Sequence, residues 1–541
     1  MGSWPEVGAL TPFFLGTFFL AVYLLTGSSD LLHNGDTDLR YQTTQALVEH
    51  HRLWIDRPMW TDLRMHRGNG GHLYAFYGPG QVLLMVPLYV LGKAFAHHLS
   101  LPYDITTLYA CRSLDLFLGA LLAVVFYLFA RSAGYTERIS TVLTLIFGLA
   151  TVSWPDAQSA LEQTQVDLCL LVSVYAAWRY VLGDFARRRW LAAASAAAGA
   201  GLLTRYDFAL YLPIILALPL AWRWRRQAGS GLLADVFVYV AGLVPWVLAV
   251  AAWNDARFGD PLDTGLREKT LGEPFLAGLA GLLVSPGKGL IWYLPLVLVL
   301  PWVVPRFYAR CRPLCLLSAS LVVVPVLFYS NLVYWHGDPA WGPRYLYTAV
   351  PYLILPLGEL LGRWRTAGMG LRTAFLALLV VSAGLQLAAV SVTQWRFWYR
   401  LQAMEEHTRQ PFRWGAPYYH YYWTPRQSPI LIQIDDVYQI ARLTFLGDTK
   451  YRFTTRPTAY TVQRHPSNPA DKYPINNFAY WWVDPRHPLL GLRTRLGIAA
   501  LLLAAALASL AAALSCAWLA RKPPGESVVH ARLITAGSRA L

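Results

Sequence analysis

Asp36 and Asp38 stand two residues apart in the run His33-Asn34-Gly35-Asp36-Thr37-Asp38-Leu39-Arg40-Tyr41, which opens onto the helix-like segment QTTQALVEHH. At such a position Asp36 or Thr37 can serve as a plain helix cap, with Asp38 complementing the helix dipole. A second acidic group, Asp156, Glu162 and Asp167, flanks the start of a long apolar run. Carboxylates at an apolar boundary cost free energy and mark function more often than carboxylates in open loops. Two such groups on one side of a membrane suit general-base work, divalent-metal binding, or both. A divalent metal is compatible with this pattern but not required by it, and no metal ligand is assigned. The pairs His50-His51 and His97-His98 lack the spacing of a zinc site and read as surface residues.

Cationic residues recur at comparable boundaries. Arg205 lies in Thr204-Arg205-Tyr206-Asp207, where two short apolar runs meet. Lys288 lies in the glycine-rich turn Ser285-Pro286-Gly287-Lys288-Gly289, which as a helix start would offer N–H groups to a phosphate. Arg344 follows the tight loop Trp335-His336-Gly337-Asp338-Pro339-Ala340-Trp341-Gly342-Pro343, whose His336 and Asp338 share its surroundings. Singly, each could anchor at the headgroup level. Three cations facing one cavity would suit a phosphate held near lipid.

The elements that position these residues are set by composition. The chain has 541 residues, 55% hydrophobic and only 14% charged, whereas soluble domains carry about a quarter charged residues. The formal net charge of +15 does not indicate nucleic acid, because the basic residues fall in short clusters between apolar runs. The five cysteines form no disulfide framework or metal knuckle. Residues 1–27 lack a basic leader and a small-residue cleavage site, so they read as a retained first span.

Apolar runs long enough for a crossing occupy 9–27, 105–130, 137–155, 159–182, 189–205, 207–224, 232–252, 288–307, 312–334, 344–362, 370–394 and 488–520. The segment 78–95 (GPGQVLLMVPLYVLGKAF) is a borderline thirteenth. If it lies along the surface, the clusters RSAGYTER, GDFARRRW, RWRRQ, RFYARCR, GRWR and RKPPG all fall on the cytoplasmic side. The expectation is therefore an all-α polytopic membrane protein of about twelve helices with both ends cytoplasmic. The loops 28–104, 253–287 and 335–343, the turn around 154–162, and a Tyr- and Trp-rich segment 395–487 then lie outside. That last segment, with alternating runs such as ILIQI, reads as a small, partly β module. It separates a transmembrane region, 1–394, from a final span and basic tail, 488–541. Most of the 22 Trp and 31 Tyr belong to interfacial belts. No internal repeat suggests an inverted-repeat transporter.

Four stretches resemble the GT-C superfamily of membrane glycosyltransferases, in particular the glycosyltransferase family 39-like bacterial relatives of protein O-mannosyltransferases and lipid A aminoarabinose transferases. They are GDTDLRY, YAFYGPGQVLLMVPLY, RFGDPLDTG with SPGKGLIWYLP, and WHGDPAWGPRYLYTAVPYLILP, all within residues 30–360. The resemblance implies a GT-C-like bundle with surface helices in the first outside loop. It also implies transfer of a sugar, with inversion, from a polyprenyl-phosphate donor to a hydroxyl on a lipid, glycan or protein acceptor. This would occur at the extracytoplasmic face of the inner membrane, where nucleotide sugars are absent. By position Asp36 inherits the role of base or metal ligand, with Asp38 competing, because the Asp-Glu spacing of the family is not kept. Glu162 or Asp167 corresponds to a second acidic residue. Tyr77-Gly78-Pro79 stands where the family has Lys-Pro-Pro, so Lys288 or Arg344, with Arg205, would handle the phosphate. Tyr77, His336 and Asp338 are the further substrate-binding candidates. The competing readings are a twelve-span secondary transporter, a ligase or polymerase using a lipid diphosphate, and a scaffold lacking the base.

Overall fold

The computed structural model describes residues 10–28, 35–56, 65–226, 231–266, 271–337, 340–397, 400–401, 422–452, 476–483 and 489–520. Every apolar run read from the sequence is helical there. The first half comprises α1 (Thr11–Leu25), α2 (Gly35–His50), α3 (Pro79–His98), α4 (Tyr103–Arg112), α5 (Leu114–Ser132), α6 (Glu137–Leu149), α7 (Ser153–Ala157), α8 (Gln163–Leu182) and α9 (Arg189–Thr204). Then follow α10 (Leu212–Arg225), α11 (Leu232–Phe258), α12 (Phe275–Val284), α13 (Leu290–Tyr293), α14 (Leu300–Arg310), α15 (Arg312–Tyr329), α16 (Val350–Ile354), α17 (Gly358–Gly362), α18 (Met369–Ser391), α19 (Pro429–Leu446) and α20 (Leu492–Leu519). The β-structure among the described residues is one small hairpin, β1 (Met65–Arg67) with β2 (Leu73–Ala75), plus two isolated bridges.

Prolines break two of the apolar runs, although Pro87, Pro219, Pro245, Pro305 and Pro325 sit inside continuous helices. Residues 288–310 run as α13, a 3₁₀ turn from Pro295 and then α14, and residues 344–362 run as four short pieces punctuated by Pro351 and Pro356. Each proline removes an N–H from the ladder and crowds the preceding turn. Among the described residues, eight helical stretches are long and apolar enough to cross a membrane, α3 among them. In the bundle α8 is central, with 72% of its most apolar window buried, whereas the figure for α11 is 6%. The apolar side chains that α11 leaves exposed, such as Phe237, Val244 and Leu248, mark it as lipid-facing, since water would penalise such a surface.

α3 shows how a stripe is selected. Val82, Met85, Tyr89, Gly92 and Ala96 are buried at alternating spacings of three and four, while Leu84, Leu91 and Phe95 are exposed. Its start packs directly on the end of α9: a Cβ on Gly78 would lie 2.4 Å from the Leu203 carbonyl oxygen, and one on Gly80 would lie 2.4 Å from Thr204 Oγ1. Only glycine permits that approach.

The run ILIQI, expected as a strand, lies instead inside α19. Read to its end, the segment PILIQIDDVYQIARLTFL buries Ile430, Gln433, Asp436 and Ile440 at helical spacing, a period that five residues are too few to reveal. Much of the 395–487 module lies outside the described residues.

Candidate active site

Asp36 and Asp38 sit inside the first turn of α2 rather than at its cap, and both are buried. They differ in direction, because two residues along an α-helix turn a side chain by about 200°. Asp36 accepts a hydrogen bond from Tyr77 Oη at 2.6 Å on Oδ1, and its Oδ2 lies 3.3 Å from Arg344 Nη1. Tyr77 is held from behind: Arg257 Nη1 and Trp253 Nε1 both donate to its carbonyl oxygen, at 3.1 and 3.2 Å. Arg257 also donates to the Ala75 carbonyl at the end of β2, so the hairpin is clamped to the end of α11. One helical turn after Asp36, Arg40 places its guanidinium over the Tyr77 ring at 4.2 Å and pairs with Glu162.

Glu162 precedes α8 and is the junction of the site. Its second oxygen accepts from Arg205 Nη1 at 3.0 Å. Arg205 in turn grips Asp207 with two bonds, Nε to Oδ1 at 3.0 Å and Nη2 to Oδ2 at 2.6 Å. Tyr329 Oη completes the chain by donating to Asp207 at 2.9 Å. This parallel guanidinium–carboxylate geometry fixes orientation as well as charge. The loop between α7 and α8 is tied to α2 through Thr37 Oγ1, which donates to the Ala160 carbonyl at 2.8 Å. Ala160 itself is held at φ +55°, a conformation that costs a non-glycine residue on the order of 1 kcal/mol.

Asp156, in α7, accepts from Thr164 Oγ1 at 2.8 Å. Burial holds its carboxyl above the usual carboxylate range; the Thr164 bond opposes this, and the neighbouring Glu162 charge reinforces it.

Arg344 opens a 3₁₀ turn, Arg344–Ala349, that faces the start of α2. Its Nε is buried without a partner among the described residues. Lys288 is placed differently from the expectation of a phosphate-facing cation. Its Nζ donates to the carbonyls of Ala340 and Gly342, at 2.6 and 3.3 Å, and so braces the loop that delivers Arg344. The glycine-rich turn around it has spent its N–H groups inside the protein: Gly287 donates to Tyr422, Gly289 to the Ser285 carbonyl, and Lys288 to Ser285 Oγ. His336 stacks on Tyr422 at 5.0 Å, with its Nδ1 3.3 Å from the Tyr422 hydroxyl. Asp338 lies outside the described residues. No three His, Cys, Asp or Glu side chains form a metal-holding group among the described residues.

The structure thus brings Asp36, Tyr77, Glu162, Arg205 and Arg344 into one cluster and sets Lys288 and His336 behind the Arg344 loop. Arg40 and Arg257 were not singled out from the sequence. Arg40 had a signal, since a carboxylate as buried as Glu162 demands a cation. Asp115 had one too, as a lone acid inside the apolar run 105–130.

Fold and site together define a class: a polytopic helical membrane protein enclosing a carboxylate–guanidinium cluster where several helices begin. No family model matches the chain. It is similar to the undecaprenyl phosphate-alpha-4-amino-4-deoxy-L-arabinose arabinosyl transferase of Pseudomonas paraeruginosa (strain DSM 24068 / PA7), with 28% identity over 298 residues. The match covers 51% of this chain and 51% of that protein, so the chain spans about half the length of the curated relative it matches. Among solved structures it is similar to ArnT from Cupriavidus metallidurans bound to undecaprenyl phosphate (TM-score 0.45, 13% identity, 98% of this chain and 77% of that one). It is also similar to the archaeal oligosaccharyltransferase AglB from Archaeoglobus fulgidus in complex with an inhibitory peptide and a dolichol-phosphate (TM-score 0.43, 12% identity, 77% of this chain and 59% of that one).

Proposed function

We propose that this chain is a GT-C-type glycosyltransferase that moves a sugar from a polyprenyl-phosphate carrier to a hydroxyl acceptor, by direct displacement, on the extracytoplasmic side of the membrane. The observation that carries the reading is Asp36, buried between Tyr77 and Arg344 at the start of α2. The partial identity to an undecaprenyl-phosphate arabinosyl transferase supports it.

In the reaction, an acceptor oxygen attacks the anomeric carbon while Asp36 takes its proton. The carbon–oxygen bond to phosphate breaks, and the electron pair leaves with the phosphate. Arg344, whose Nε has no partner among the described residues, stabilises the charge that develops there, and Arg205 adds to the field. Arg344 Nη1 also lies 3.3 Å from Asp36 Oδ2, so the base and the cation that meets the leaving group adjoin. Attack opposite the leaving group inverts the anomeric centre. The outward placement follows from the Arg-rich loops marking the opposite, cytoplasmic side. With α3 along the outer surface, twelve crossings keep that charge order, and its exposed Leu84, Leu91 and Phe95 would meet the lipid carrier.

The purified protein, incubated with undecaprenyl-phosphate-linked sugars and a mixed acceptor pool, is expected to release undecaprenyl phosphate. Asp36→Asn should lose that release while expressing normally. Near-normal turnover in this variant would remove Asp36 from the chemistry.

A further inference from the structure

Beside the ion-paired cluster lies a second group of polar side chains that the mechanism does not use. Gln81 is the third residue of α3, Asp115 the second of α5 and Gln163 the first of α8. They are 1%, 1% and 3% exposed. Both side-chain polar atoms of each lack a hydrogen-bond partner among the described residues, and so does Nη1 of Arg40. The Gln81 amide lies against the Asp115 carboxylate without reaching hydrogen-bond geometry, and Asp115 shares the field of Arg40, Glu162 and Asp156. Gln163 adjoins Glu162 in sequence.

Such a concentration of orphans is unusual. A buried polar group without a partner costs about 1–3 kcal/mol, and native proteins keep only a few. Here Gln81 and Asp115 adjoin one another, and Gln163 follows Glu162 at the start of α8. Two amides and a carboxylate offer donors and acceptors at several angles, which matches a polyol better than an anion or a metal ion. Asp115 lies within the field of Arg40 and Glu162, so this polar group adjoins the ion-paired cluster.

We propose that Gln81, Asp115 and Gln163 form the hydrogen-bonding subsite for the hydroxyl groups of the donor's sugar, and so select which lipid-linked sugar is accepted. This rests on the donor class proposed above. The residues act in binding and recognition and take no part in proton transfer. The same hydrogen bonds could be satisfied by ordered water, and the test separates the two.

The measurement is the affinity of the detergent-solubilised protein for undecaprenyl phosphate linked to mannose, glucose, galactose or arabinose, each relative to bare undecaprenyl phosphate. The wild-type chain is expected to prefer at least one loaded lipid. In Gln81→Leu, Gln163→Leu and Asp115→Asn that preference should fall at least 10-fold, with affinity for the bare lipid unchanged. Because the replaced atoms have no partner, the two Leu variants should melt no lower than wild type. If no loaded lipid is preferred, or if the variants melt lower while the preference survives, the subsite is refuted and the groups belong to a water-filled structural network. Binding is read without turnover, so a chain that binds loaded lipid selectively but transfers nothing would overturn the reaction and leave the subsite standing.

Discussion

α8 carries a buried carboxylate cluster at each of its ends, and the two are built differently. Near its last turn, Asp235 of α11 is fully buried and fully satisfied. Its Oδ1 accepts from Tyr180 Oη at 2.7 Å and Arg188 Nε at 3.1 Å, and its Oδ2 accepts from Arg223 Nη1 at 2.6 Å. Arg188 and Arg223 come from the Arg-rich loops. About 30 Å away, the length of a 20-residue helix, the Glu162 end combines saturated pairs with the orphaned atoms of Gln81, Asp115, Gln163, Arg40 and Arg344. A structural ion cluster closes its hydrogen bonds internally. A site leaves some of them for a ligand, and the loose polar atoms distinguish the ends better than the charges do.

Four perturbations test that contrast, in descending order of effect. Asp36→Asn should lower transfer by about 10²–10⁴-fold, the usual worth of a positioned general base, and shift the apparent melting temperature by no more than about 3 °C. Comparable loss of melting temperature and of activity would mean that Asp36 is structural. Asp235→Ala should do the reverse. Removing one partner of a buried ion cluster costs about 3–5 kcal/mol, seen as a drop in detergent melting temperature, while activity per folded molecule stays within about twofold. Arg344→Lys keeps the charge but loses the planar fork, so a 10- to 100-fold rise in donor KM is expected, or about 1.4–2.7 kcal/mol. An unchanged KM would assign the phosphate to other groups.

The smallest effect concerns Asp156. Its carboxyl titrates higher folded than unfolded, so the folded chain binds the proton more tightly. Its contribution to stability is therefore full below the unfolded carboxyl value and is lost as pH rises through the folded one. Within that window the slope reaches at most about 1.4 kcal/mol per pH unit. Asp156→Asn should flatten the decline in melting temperature as pH rises from 3.8 to about 7, and an unaltered profile would show that Asp156 does not titrate there.

Much of this was legible in the sequence because membrane burial imposes a coarse rule. Apolar runs of span length had to be helical, and Asp36, Tyr77, Glu162, Arg205 and Arg344 stood out as polar groups at their ends. What was illegible depended on geometry between distant segments. The Arg40–Glu162 pair joins residues 122 positions apart, and spacing gives no sign that Lys288 would turn to two carbonyls of the Arg344 loop. ILIQI misled because five residues satisfy a strand period by accident, whereas α19 as a whole does not. Gln81 and Gln163 were invisible for another reason: a neutral amide near a helix start looks ordinary until its burial is known.

The contact between the first and last helices bears on how the chain is made. α1 packs against α20, and the indole N–H groups of Trp481 and Trp482 donate to the carbonyls of Leu24 and Leu25 at the end of α1. Those partners are 457 residues apart. At roughly 5–20 residues per second of synthesis, α1 waits on the order of half a minute or more for them. During that interval the face that α20 will cover is open to lipid or to the insertion machinery, and the indole bonds to the Leu24 and Leu25 carbonyls are not yet made. α1 is thus made long before its packing is finished, and a chain arrested before α20 would carry an exposed seam for quality control to recognise.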